Sequence, residues 1–107
     1  MAIDFQAVSI FPHYKKITVL DSEATELKLP SQCDQIQVAN WTTGKTLFVG
    51  QNGCADGVAM PVDGFPVPAN QAKTVKIGRG SSRANSIFVQ ASSGGGSIDC
   101  YIELTEL

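Results

Sequence analysis

Aliphatic side chains recur at every second position along most of this chain, with polar residues between them. Ile17 and Val19 share one phase, and Leu27 and Leu29 share another with Lys28 turned the other way. Ile36 and Val38 alternate with Gln35 and Gln37, Leu47 and Val49 flank Phe48, Val75 and Ile77 flank Lys76, and Ile87 and Val89 flank Phe88. The last run is the clearest: Ile98, Cys100, Ile102 and Leu104 alternate with Asp99, Tyr101, Glu103 and Thr105. Successive side chains of a strand point to opposite faces, so each run predicts a half-buried strand. No window of helical length carries apolar residues at i, i+3, i+4 and i+7, so no helix is predicted.

Turn formers punctuate these runs. They include Leu29-Pro30-Ser31, Thr43-Gly44-Lys45, Gln51-Asn52-Gly53, Val62-Asp63-Gly64, Pro68-Ala69-Asn70, Gly78 to Ser82 and Ser92 to Gly96. Gly, Asn and Asp supply positions with positive φ, and Pro fixes its own φ. Several short strands at this spacing predict one all-β domain, a mostly antiparallel sandwich or barrel, over residues 17–107. Pro61, Pro66 and Pro68 cannot donate to a sheet ladder, so that stretch is expected at an edge or in a crossing between sheets.

Residues 1–16 follow a different pattern. Ile3, Phe5, Val8, Ile10, Phe11 and Tyr14 are apolar, and Pro12 interrupts them. They form either an extra strand laid on the sandwich or an arm that docks on a neighbouring subunit. In both cases something must cover so much apolar surface. Ile3, Phe5, Val8, Phe11 and Tyr14, with Phe65 from the Pro-rich stretch, are therefore the candidate protein-interface residues.

Composition narrows the function classes. Of the 107 residues 43% are apolar, too many for a disordered chain, and 17% are charged, against about a quarter in an average domain. Neutral surface is easier to bury against a partner, which favours assembly. The formal net charge of −2 gives no basic face for nucleic acid. Met1 to Ser9 holds Asp4 and no basic run, so it does not read as a secretory signal, and no apolar run is long enough to span a membrane. Cys33, Cys54 and Cys100 are an odd number in such a chain and read as free thiols. Cys100 shares the inward phase of its strand, and Cys54 lies in a Gly-rich loop and is expected to be exposed.

Candidate chemistry is sparse. His13 is the sole histidine, and no local signature places a nucleophile and a carboxylate beside it. Asp56-Gly57 and Asp63-Gly64 are turn formers before they are acids. No CxxC pair or spaced ligand set predicts a metal site, and Gly78-Arg79-Gly80 lacks the context of a phosphate loop. No catalytic, cofactor or metal residue is assigned. Trp41 is expected to close one end of the core, the alternative being a platform for a sugar.

The order of segments carries a resemblance. Leu-Lys-Leu-Pro (27–30) leads to Cys-x-x-Ile-x-Val-x-Asn (33–40), Leu-Phe-Val-Gly-Gln-Asn-Gly (47–53) and Gly-Phe-Pro-Val-Pro-Ala-Asn-Gln-Ala (64–72). Thr-Val-Lys-Ile-Gly (74–78), Ser-Ile-Phe-Val-Gln-Ala (86–91), a Ser/Gly turn and the final alternating strand follow. Over residues 17–107 this resembles the small β-sandwich virion proteins of tailed bacteriophages, in particular capsid decoration or cement proteins. The resemblance is one of strand and turn order, without a diagnostic motif. It implies a jelly-roll-like antiparallel β-sandwich, dimeric or trimeric and assembled in the bacterial host cytoplasm, that binds the outer surface of the capsid at joints between major capsid protein subunits. It implies no cofactor and no active site. Two alternatives stand beside it: a tail, baseplate or head-fibre component, and a carbohydrate-binding module with Trp41 or Tyr101 as its platform.

Overall fold

The computed structural model describes residues 2–51, 65–77, 86–92 and 96–106. The expected turns at Asn52-Gly53, Asp63-Gly64 and 78–82, the core of the Ser/Gly turn, Pro61 and the exposure of Cys54 lie outside the described residues.

Among the described residues there are nine strands and no helix. They are β1 (Ala2–Asp4), β2 (His13–Val19), β3 (Thr25–Lys28), β4 (Gln35–Asn40), β5 (Leu47–Gln51), β6 (Phe65–Val67), β7 (Gln71–Lys76), β8 (Ser86–Ala91) and β9 (Ile98–Thr105). They form a five-stranded sheet in the order β1-β3-β8-β5-β6 and a four-stranded sheet in the order β2-β9-β4-β7. The domain is thus the all-β sandwich that the alternation predicts.

The pairing is nested. β5 pairs with β6, β4 with β7, β3 with β8 and β2 with β9, all antiparallel. Such nesting is what results when one long antiparallel ribbon is rolled until its pairs fall alternately into two sheets. The further pairings β4·β9 and β5·β8 then close the sheets. Strands β2–β9 therefore have the strand order of an eight-stranded jelly roll.

β1 is an addition to that frame. It pairs in parallel with β3 in the register Ile3↔Leu27, and the Phe5 N–H continues the ladder to the Lys28 carbonyl at 2.8 Å. Parallel pairing needs a long connection, and here the chain passes through β2 in the opposite sheet before it returns as β3. The Asp4 side chain accepts the Gln6 N–H at 2.8 Å and starts the turn away from β1. The boundary between residues 16 and 17 falls inside β2, which begins at His13. Lys15-Lys16 breaks the apolar alternation there, yet the ladder to β9 runs unbroken from His13↔Leu104 to Val19↔Ile98.

The core lies between the sheets and is almost wholly aliphatic. Ile17, Val19, Ile36, Val38, Ile98, Ile102 and Leu104 come from the four-stranded sheet, and Leu27, Leu47, Val49, Val67, Ile87 and Val89 from the other. Cys100 is fully buried among them, and desolvation pushes its thiol up from the ordinary 9.0 to about 12, against a smaller lowering by a hydrogen bond with the Ala39 backbone. Pro66 sits on edge strand β6, where its missing N–H costs the sheet nothing, and Asn70 takes φ of 62° in the crossing to β7.

Candidate functional site

The outer face of the four-stranded sheet carries the positions out of phase with the core. Across β2, β9, β4 and β7 the register sets Tyr14, Glu103, Gln37 and Thr74 in one row. The next row is Lys16, Tyr101, Ala39 and Ala72. Continuing the β4·β9 register by one residue sets Trp41 level with Asp99. Tyr14 on β2, Tyr101 on β9 and Trp41 directly after β4 are thus each displaced by one same-face position and form a diagonal. Diagonal neighbours on one face stand about 7–8 Å apart, within reach of aromatic side chains.

This diagonal bounds a shallow groove of about 510 Å³. Ala39 and Ala72 form its low floor, because a methyl side chain leaves the sheet surface nearly bare. Gln37, Lys16 and Glu103 stand on its rim. Tyr14 is 68% exposed, Trp41 53% and Tyr101 44%. Trp41 therefore does not close the core: it lies on the outer surface. Counting by twos from Gln35 through Gln37 and Ala39 reaches Trp41 in the outward phase, a signal present in the sequence.

The fold fixes Trp41 from both sides. Asn40 is fully buried, and its amide donates to the carbonyls of Lys45 at 2.9 Å and Val67 at 3.0 Å. Its side-chain oxygen accepts the Thr42 N–H at 3.0 Å, and its own carbonyl accepts the Asn70 N–H at 2.7 Å. Both amide protons and the amide oxygen of this buried side chain are thereby hydrogen-bonded. On the other side of Trp41, the Thr42 hydroxyl accepts the Asp99 N–H at 3.1 Å and lies 3.3 Å from the Asp99 carbonyl. The turn is clamped to β6 and to β9, so the indole is carried on a rigid mount.

Charge on this face is balanced. The Lys16 ammonium lies 3.8 Å from the Asp99 carboxylate, which also accepts the Thr18 hydroxyl at 3.2 Å. Both members of the ion pair are more than half exposed, so the pair contributes little to stability. Among the described residues no group of three or more His, Cys, Asp or Glu side chains is placed to hold a metal ion.

No family model matches the chain, and no curated protein matches it. Among solved structures it is similar to PliG of Aeromonas hydrophila, a periplasmic lysozyme inhibitor of g-type lysozyme. The TM-score is 0.57 at 8% identity, over 99% of this chain and 96% of that one. At that identity the likeness is one of fold.

The six residues singled out as an interface do not lie together. Phe5 is 2% exposed and belongs to the core, where His13 meets its ring edge-on with centroids 6.0 Å apart. Ile3, Val8 and Phe11 are half-buried against the same core. Hydrophobicity alone could not tell a segment laid on its own core from one reaching to a neighbour. Tyr14 belongs to the groove, and Phe65, 52% exposed, stands at the β6 edge with the Lys73 ammonium 4.1 Å above its ring. Ile10, outside that set, is the most exposed large apolar side chain among the described residues, at 81%.

Proposed function

We propose that the chain is a non-enzymatic structural protein of a virion that binds the outer surface of a phage capsid and stabilises the shell where major capsid protein subunits meet. The jelly-roll order of β2–β9 supports this reading, since that architecture recurs in viral capsid domains. So does the strand and turn order that resembles decoration proteins. The observation that carries it is the state of the N-terminal segment. Phe5, Val8 and Phe11 are packed on the core, and between the last two Ile10 projects into solvent. A braced loop presenting one bare aliphatic side chain is preorganised for a pocket on a partner, because little ordering entropy is left to lose on binding.

Decoration works by linkage. A ligand that binds the closed shell and not the opened one stabilises it, and many copies add their effects. Purified protein added to empty expanded capsids should raise their melting temperature in proportion to occupancy. Ile10→Asp should weaken that binding while leaving the isolated domain's own melting unchanged. Absence of binding to any capsid of the source virus contradicts the proposal, and immunogold labelling confined to the tail moves the protein to the tail or head-fibre class.

A further inference from the structure

We propose that the groove on the outer face of the four-stranded sheet is a binding site for a neutral saccharide, with Trp41, Tyr101 and Tyr14 as stacking surfaces and Glu103 and Gln37 as hydrogen-bonding partners. The proposal goes beyond the capsid reading and does not depend on it, since the projecting Ile10 lies in the β1–β2 connection and not among the groove residues.

Four observations select the ligand class. Three aromatic side chains are held outward on one diagonal, although burying any of them would stabilise the fold. Their faces offer flat apolar surface, and the rim offers a carboxylate and an amide beside it. A sugar ring has the matching halves: an apolar face of C–H groups and an equator of hydroxyls that donate and accept. Next, charge argues for a neutral ligand, because Lys15 and Lys16 line the groove together with Glu103, and Lys16 is already near Asp99. A polyanion or a strongly basic peptide would meet a like charge there.

The third observation is what the groove lacks. Its floor is the face of strands β9 and β4, which are interior in their sheet and have their backbone groups engaged on both sides. An extended peptide lying on that floor would therefore find no free ladder, since the edges of the sheet are β2 and β7 and not these two strands. Recognition must come from side chains, which suits a ring with hydroxyls around it. Lastly, the platform is fixed in advance. Asn40 and Thr42 clamp the residues on either side of Trp41, so stacking on the indole requires little new ordering. The volume of about 510 Å³ is within the range of ligand sites, about 300–1,000 Å³.

The chain supplies its own reporter, because Trp41 is its only tryptophan. The intact protein is titrated with cellohexaose, xylohexaose, maltohexaose, mannohexaose and chitohexaose while Trp41 emission is followed, with a proline-rich decapeptide as control. One or more of the hexasaccharides should shift the emission saturably. Calorimetry with the same sugar should show binding weakened roughly tenfold or more in Trp41→Ala and in Tyr101→Ala, and less in Tyr14→Ala. Circular dichroism and thermal melting of each variant check that it is folded, and Glu103→Gln tests the rim without touching the aromatics. No response to any hexasaccharide overturns the proposal. So does binding that survives in folded Trp41→Ala, and so does saturable binding of the peptide alone, which would assign the groove to a polyproline helix. Capsid melting is scored separately, so a negative result there leaves this site standing, and the converse holds.

Discussion

The two faces of the four-stranded sheet have opposite compositions, as three of its strands show. On the inner face β2, β9 and β4 present Ile17, Val19, Ile98, Cys100, Ile102, Leu104, Ile36 and Val38, every one of them 5% exposed or less. On the outer face the same strands present Tyr14, Tyr101 and Ala39, and Trp41 follows directly. The side chains that would contribute most to a core are thus on the outside. Five Phe, two Tyr and one Trp are the aromatic residues of the chain, and only Phe5 is fully buried. Aliphatic packing suffices to hold the sandwich, which leaves the aromatics available for contact with something else.

Substitutions sharpen that contrast, beginning with the aromatic residue that breaks it. Phe5→Ala should cost about 3–5 kcal/mol in denaturant unfolding, the usual penalty for emptying a buried ring site. A value under about 1 kcal/mol would mean that the N-terminal segment is no part of the core. Truncation before residue 12 should be at least as damaging, since it removes β1 together with Phe5. On the inner face, Ile36→Ala should cost about 2–5 kcal/mol. Asn40→Ala should come next, at about 1–3 kcal/mol, because it removes a buried side chain and its hydrogen bonds to the carbonyls of Lys45 and Val67. It should also broaden Trp41 fluorescence by freeing the turn.

Cys100 gives the inner face a pH signature. Its folded thiol is pushed up to about 12, whereas the unfolded thiol titrates near the ordinary 9.0. Above that lower value the unfolded state holds fewer protons than the native one, so stability falls as pH rises. The contribution is complete below about pH 9 and is lost progressively toward pH 12. Chemical denaturation of the wild type and Cys100→Ala should therefore differ by one amount up to about pH 8, and the wild type's advantage should shrink steadily as pH rises from about 9 toward about 12. A constant difference would show that the thiol is not desolvated.

Much of this architecture is legible in the sequence, for a physical reason. A strand with one buried face must alternate, so Ile98 to Thr105 reveals β9 with both of its faces. The parallel strand β1 leaves no such trace: three residues are too few for a period, and their partner, β3, is more than twenty residues away. Only the second half of β2 shows in the alternation, because Lys15 and Lys16 interrupt the apolar phase while their backbones remain in the ladder. At the groove, Tyr101 reads outward from its own strand, and Trp41 does so once the phase of β4 is carried past Asn40. What no single strand contains is the register between strands, and only register brings Tyr14, Tyr101 and Trp41 onto one diagonal.

The central claim is that the inner face holds the fold and the outer face works on a ligand. Tyr101 and Ile102 are sequence neighbours on opposite faces of β9, which makes them the most direct test. Guanidinium unfolding of Tyr101→Ala should reproduce the wild-type stability to within about 0.5 kcal/mol, while Ile102→Ala loses about 2–5 kcal/mol. Equal losses in the two variants would contradict the account, because the outer aromatics would then be structural members of the domain.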